Sequence, residues 1–281
     1  MRNSGSRLAL ADVLPALSPV VTTTYFEYVG ANDDKLLAEA YRVRYQVYCV
    51  ERELLDGSAY LDFQERDEFD ANAVHVLARH RNGEVAGTAR LVLHSERGFP
   101  CQAHCEFFDE FAYLRDPLSR GLATYSEVSR LAISKHFRRR ASDFFYGGDP
   151  RWAPPRTVEA SGRRSQDEPS PPGPEIVVGM LKYLYHETKR SGVTHWLIAI
   201  ERGLDVLVRR MGWPFVAVGP EVDYYGPVRP YLAEVRRAER MLERKNPRLL
   251  SFLRQGMPQG DGGAGTQGTV GPRRFLRIVG E

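Results

Sequence analysis

The pair Asn82-Gly83 stands between two alternating runs, Val74 to His80 and Glu84 to His94. Asn and Gly accept the positive backbone angles of a tight turn, so this stretch predicts an antiparallel hairpin and the fold must contain a sheet. Upstream, Thr24 to Tyr28 reads as a strand, followed by Gly30 and the helix-capping candidates Asn32 and Asp33. From Leu36 the apolar residues Leu36, Ala40, Val43, Val47 and Val50 recur at alternating steps of four and three. That spacing predicts a helix with one buried stripe, widened by Tyr41, Tyr45 and Tyr48.

Further along, Glu106 to Leu114 predicts a short helix and Tyr125 to Ser134 a strand with Leu131 and Ile133 on one face. A helix is expected from Pro174 to near Gly192, then a strand from Thr194 to Glu201 and a short helix from Leu204 to Met211 stopped by Gly212. Phe215 to Val218 reads as a strand, and Val228 to Val235 as a last strand or the start of another helix. This order is of the α/β (α+β) class. A chain of 281 residues with 42% hydrophobic residues has enough apolar side chains for one core plus tails. The predicted division is an N-terminal extension over 1–22, one domain over 23–253 and a Gly-rich, disordered tail over 254–281. Within the domain, 147–174 is dense in Pro, Gly, Ser and charge and is expected to be a flexible insert.

The 39 basic and 36 acidic residues leave a net charge of only +3, which gives no reason to expect a nucleic-acid partner. Three cysteines cannot form a disulfide framework in a chain this long, which points to a reducing, cytoplasmic setting. No apolar run approaches the roughly 20 residues needed to span a bilayer, and no transmembrane segment or signal peptide is predicted.

On a regular strand Glu127 and Ser129 share a face while Arg130 takes the other; a bulge would bring all three together. A carboxylate there suits a general base for acyl transfer, while spacing alone favours a structural charge paired with its neighbours. Arg44 and Tyr48 lie one helical turn apart, Asp67 and Asp70 precede the hairpin, and Arg90 lies in its second strand. If they converge, they form a pocket for a zwitterionic small molecule; if not, they are surface charges on separate elements. Arg138, Arg139 and Arg140 follow the Tyr125 strand and suit either a phosphate or a solvated basic turn. Cys101, His104 and Cys105 lie close together, but no second ligand pair follows at zinc-ribbon spacing, so no metal is predicted. Phosphate-loop, nucleophile-elbow and dinucleotide motifs are not found.

Taken in order, Arg44-Tyr-Gln-Val-Tyr48, Glu65-Arg-Asp67-Glu-Phe-Asp70, Gly87-Thr-Ala-Arg90-Leu and Glu127-Val-Ser-Arg130 resemble the motif series of acyl-homoserine-lactone synthases, a branch of the GNAT fold. The segment Asp223-Tyr-Tyr-Gly226-Pro-Val-Arg229-Pro-Tyr231 is similar to acyltransferases associated with the PEP-CTERM and exosortase system. The resemblance implies a bacterial acyltransferase with a GNAT-like three-layer α/β/α architecture and a mixed central sheet splayed to admit a thioester arm. It implies Glu127 as general base with Ser129 beside it, and Arg130 organising the pocket. Arg44, Tyr48, Asp67, Asp70 and Arg90 would shape the acceptor side. No permanently bound cofactor is implied; the donor would be an acyl group on acyl carrier protein or coenzyme A, and the acceptor a small-molecule amine giving an N-acyl product. Two departures matter: Cys49 to Leu55 lacks the Trp usual in the lactone synthases, and Lys135-His-Phe-Arg138-Arg-Arg-Ala replaces a Gly-rich pyrophosphate loop. The first weakens recognition of S-adenosylmethionine; the second favours a carrier protein whose acidic surface docks on Arg138, Arg139 and Arg140. An autoinducer synthase and a non-catalytic acyl-binding domain are the alternative readings.

Overall fold

The computed structural model describes residues 21–119, 121–137 and 175–257. The expected insert over 147–174 and Arg138, Arg139 and Arg140 lie outside the described residues, as do all but the ends of the two tails. The first strand, β1 (Val21–Thr22), lies inside the expected N-terminal extension and pairs with β2 (Phe26–Gly30). Asp33 then caps α1 (Asp34–Tyr45), its side chain accepting from the Leu36 N–H at 2.8 Å. The apolar period predicted one helix through Val50, but the backbone widens after Tyr45 into a π-helical turn, Gln46–Glu51, which carries Tyr48. Such turns often occur at functional sites.

The hairpin is present as β3 (Ala73–His80) and β4 (Val85–Leu93), with Gly83 at φ +91° in the turn. A single helical turn, α2 (Pro100–His104), follows, and the expected helix over 106–114 is 3-10 in geometry, Asp109–Arg115. β5 (Tyr125–Ile133), α3 (Glu175–Arg190), β6 (His195–Ile200) and α4 (Arg202–Arg210) match the predicted order within a few residues at each end. β7 (Val216–Ala217) and β8 (Val222–Asp223) are only two residues each. Both readings of the stretch after Val228 hold in succession: β9 (Pro227–Glu234) runs directly into α5 (Val235–Lys245), and α6 (Pro247–Arg254) follows.

Among the described residues, nine strands form the order β1-β2-β3-β4-β5-β6-β9-β7, with β8 on β9. Every pairing among these strands is antiparallel except β5 with β6, between which α3 lies in the chain. α1 lies on the sheet face that carries Leu77, and α3 on the face that carries Tyr28, Val76 and Leu91. α3 comes very close at Gly179, where a Cβ would fall 2.0 Å from the Tyr28 ring. Trp196 of β6 stacks on Trp213 at 5.2 Å and donates its indole N–H to the Thr188 hydroxyl at 2.8 Å. Among the described residues, no helix is long and apolar enough to cross a membrane.

The parallel pairing is short. Tyr125, Ser126 and Glu127 match His195, Trp196 and Leu197, and there it stops. Beyond Glu127 and Leu197 the two strands part, and the sheet opens in its middle.

Candidate active site

β5 carries one extra residue against β4: Arg90 faces Ser129 while Thr88 faces Ala132. The strain is taken at Arg130, whose φ is +52°, a left-handed conformation that costs a non-glycine residue about 1–3 kcal/mol. The bulge brings two consecutive side chains to one cluster. The Ser129 hydroxyl accepts from Arg90 Nε at 3.0 Å, and Arg130 Nη2 meets Asp67 Oδ2 at 2.9 Å. The sharing of one pocket by Glu127, Ser129 and Arg130 thus follows from an interruption of strand alternation.

Around them, the guanidinium groups of Arg44, Arg90 and Arg130 meet the carboxylates of Glu65, Asp67 and Asp70. Arg44 binds Glu65 through Nε and Asp70 through Nη1, the latter at 2.6 Å. Arg90 holds both Asp67 oxygens, at 2.6 and 2.8 Å, and also touches Asp70. The Asp67 N–H donates to Asp70 Oδ2 at 2.8 Å, which sets the turn that presents both aspartates. Burial is the largest single influence on the Asp70 carboxyl and opposes ionisation, yet Arg44 and Arg90 together hold it far below the carboxylate range. Glu65 and Asp67 are likewise lowered, against burial, by Arg130 with Arg44 and by Arg90 with Arg130 respectively.

Arg44 and Arg90 are 0% exposed and engaged with carboxylates. They face the cluster interior, whereas the Asp67 side chain is 16% exposed and Arg130 lines the adjacent cleft. Glu65 was not among the predicted site residues. Its signal was its place in the same motif as Asp67 and Asp70, and only the fold reveals that it bridges Arg44 and Arg130.

Glu127 stands apart from this balanced set. It is 1% exposed, on the last paired residue before β5 and β6 separate, and its Oε2 accepts from the Cys101 N–H at 2.7 Å. Burial pushes its carboxyl up to about 7, a rise that the Cys101 amide and thiol, Arg90 and Arg130 only partly offset. Near neutral pH it therefore exists in both protonation states, which is what a general base requires.

The opening between β5 and β6 is a cleft of about 100 Å³ lined by Glu127, Ser129, Arg130, Tyr48, Tyr224 and Tyr225, among others. Val128, Leu131, Ile198 and Leu204 line it too, and they also line an apolar cavity of about 50 Å³ walled by Met180, Leu184, Trp196 and Phe215. Tyr48 donates its hydroxyl to the Leu131 carbonyl at 3.3 Å. The Arg130 guanidinium lies 5.0 Å from the Tyr225 ring centre and 5.8 Å from that of Tyr48. Tyr225 (φ +55°) and Gly226 (φ +102°) make the turn from β8 to β9 that presents the Tyr224 and Tyr225 rings. His104 stacks on Tyr224 at 4.2 Å. The two tyrosines were visible in the sequence as part of a motif without an assigned role. Among the described residues, no group of three or more His, Cys, Asp or Glu side chains is arranged to hold a metal ion.

Residues 43–146 match the family model described as an acetyltransferase (GNAT) domain. The fold is similar to that of TofI, solved in a ternary complex with an inhibitor and MTA, at 20% identity and a TM-score of 0.50, covering 79% of this chain and 98% of TofI. It is also similar to BjaI, a CoA-dependent acyl-homoserine lactone synthase solved with SAM and isopentyl-CoA, at 15% identity and a TM-score of 0.51, covering 79% of this chain and 87% of that one. No curated protein matches the sequence. The architecture is GNAT-like, an α/β fold with a mixed, open nine-stranded sheet, and the domain match supports an enzyme of the N-acyltransferase type.

Proposed function

We propose that this protein transfers a fatty acyl group from a thioester to the amine of a small, amino-acid-like acceptor, with Glu127 as general base. The observation that carries this reading is the position of Glu127: a near-neutral carboxyl at the fork of β5 and β6, between a charged cluster and an apolar cavity. The thioester carbonyl would enter the fork, where backbone groups of the diverging strands polarise its oxygen, and the chain would lie toward Met180 and Leu184. Glu127 takes a proton from the amine. The nitrogen attacks the carbonyl carbon, the C–N bond forms, the C–S bond breaks and the thiol leaves carrying a proton. The carboxylates around Arg44 and Arg90 would fix Ser129 and Arg130, and Arg130, Asp67, Tyr48 and Tyr224 would line the acceptor side.

For the donor, the sequence after Ser134 favours acyl carrier protein over coenzyme A, although BjaI, with the same fold, holds isopentyl-CoA. For the acceptor, the missing Trp in 49–55 disfavours S-adenosylmethionine. The test is thiol release by purified protein from acyl carrier and coenzyme A thioesters across an amine panel, with mass spectrometry of products. An N-acyl amide that disappears with Glu127→Gln is the expected result. A lactone formed with consumption of S-adenosylmethionine would overturn the acceptor assignment, and no thiol release with any pair would overturn the enzyme assignment.

A further inference from the structure

The proposed chemistry leaves two thiols beside the general base without a task. Cys101, on α2, and Cys105, the residue that caps its C-terminus, lie one turn apart, joined by a hydrogen bond from the Cys105 N–H to the Cys101 carbonyl at 2.8 Å. A single α-turn spaces Cα atoms by about 6 Å, inside the roughly 4.4–6.8 Å that a disulfide spans. The Cys101 thiol is fully buried and touches both the Glu127 carboxyl and the Cys105 side chain. Cys105 is half-buried and is thus the sulfur that solvent reaches first. Between them, His104 stacks on Tyr224, whose hydroxyl lies 3.4 Å from Arg130 Nη1. This one turn therefore holds the Glu127 carboxyl by an amide and a thiol, and braces an aromatic wall of the same cleft.

We infer that Cys101 and Cys105 are a redox modification site, and that closing them into a disulfide withdraws the thiol that positions Glu127 and slows acyl transfer. With a low-molecular-weight disulfide as oxidant, the Cys105 thiolate attacks one of its sulfurs, forming a mixed disulfide and releasing one thiol. Cys101 passes its proton to the adjacent Glu127 carboxylate and attacks the Cys105 sulfur, expelling the small thiolate, which takes that proton from Glu127 and leaves as the second thiol. Two protein thiols and one disulfide become one protein disulfide and two small thiols, and a dithiol reductant reverses the sequence. The oxidised protein keeps Arg90 and Arg130 near Glu127, with Tyr224 alongside, but lacks the thiol donor, so the carboxyl titrates at higher pH. Only the effect on turnover rests on the acyltransfer reading; the disulfide and the carboxyl shift do not.

The experiment treats the full chain with oxidised glutathione, alkylates the remaining thiols and maps the peptides by mass spectrometry. The infrared carboxyl band of Glu127, identified by its loss in Glu127→Gln, is titrated before and after. The expected result is a Cys101–Cys105 disulfide with Cys49 alone alkylated, free thiols falling from three to one, and a Glu127 midpoint moved upward. Thiol release from an acyl thioester falls and a dithiol restores it, while Cys105→Ala shows no intramolecular disulfide and no loss of rate on oxidation. Three free thiols after treatment, a mixed disulfide on Cys105 that never closes, or closure with an unmoved Glu127 midpoint would overturn the proposal. A reduced protein that forms the disulfide and shifts the carboxyl, but releases no thiol from any thioester, would sink the acyltransfer reading instead.

Discussion

At the scale of single residues, Glu127 combines chemical usefulness with a stability cost. Its carboxyl titrates near 7 in the fold against 4.5 ordinarily, because burial disfavours the charge. Between those values the folded protein retains a proton that the unfolded chain releases, so stability falls as pH rises through this window. The loss is about 1.4 kcal/mol per unit and about 3 kcal/mol in all. Glu127→Gln keeps an oxygen for the Cys101 N–H and carries no charge. It is therefore expected to be more stable than the parent at pH 8 and to have no such advantage at pH 4, as read by urea denaturation at both. Arg90 presents the opposite case. Removing its guanidinium leaves Asp67 and Asp70 short of a partner in a buried cluster, so Arg90→Gln is expected to cost about 3–5 kcal/mol in chemical denaturation near neutral pH. A cost under about 1 kcal/mol would mean the cluster is far better hydrated than its burial indicates.

Among elements, those with several turns or alternations were legible in the sequence: the hairpin from its Asn82-Gly83 turn, α1 from its stripe, β5, α3 and β6 from their apolar runs. β1, β8 and α2 are too short to express a period, and no flanking apolar run marks them. α5 does space Val235, Ala238 and Leu242 helically, but these are sparse among arginines and glutamates, which weakened the signal. The site was legible for Arg44, Asp67, Asp70, Arg90, Glu127 and Arg130 only through the order of their motifs. Their separate elements meet by folding, and spacing alone favoured reading them as structural or surface charges. Glu65, Cys101, Tyr224 and Tyr225 acquire their places from tertiary contacts that no local pattern encodes. Packing between elements supplies a contrast of two glycines. At Gly179, where α3 lies on Tyr28, an added methyl has no room, and Gly179→Ala is expected to destabilise by about 1–3 kcal/mol or more. At Gly203 in α4 no atom lies within 4 Å of the added carbon, and Gly203→Ala is expected to stabilise by up to about 1 kcal/mol through helix propensity. Thermal denaturation of both variants checks the pair; equal shifts of one sign would contradict this packing.

For the whole molecule, the decisive feature is that a continuous sheet is opened at one place. Antiparallel pairing binds β1 to β5 on one side and β6 to β9 on the other, and only three residue pairs, ending at Glu127 and Leu197, join the halves beside the opening. The halves are also tied by α3, whose apolar face covers both, so the fork can exist without dividing the core. The bulge at Arg130 turns the charged cluster toward the fork, while Val128 and Leu131 lead from it to the apolar cavity. A charged cluster, a buried carboxyl with a raised pKa and an apolar cavity thus meet where the two strands part. The most direct test of this account is the pH dependence of thiol release from an acyl thioester in the presence of an accepted amine, for the parent and for Glu127→Gln. The account predicts a rate that rises through an acid limb with a midpoint near 7 and falls by about 10²–10⁴-fold in the variant. A variant that matches the parent in rate and in pH profile would contradict it.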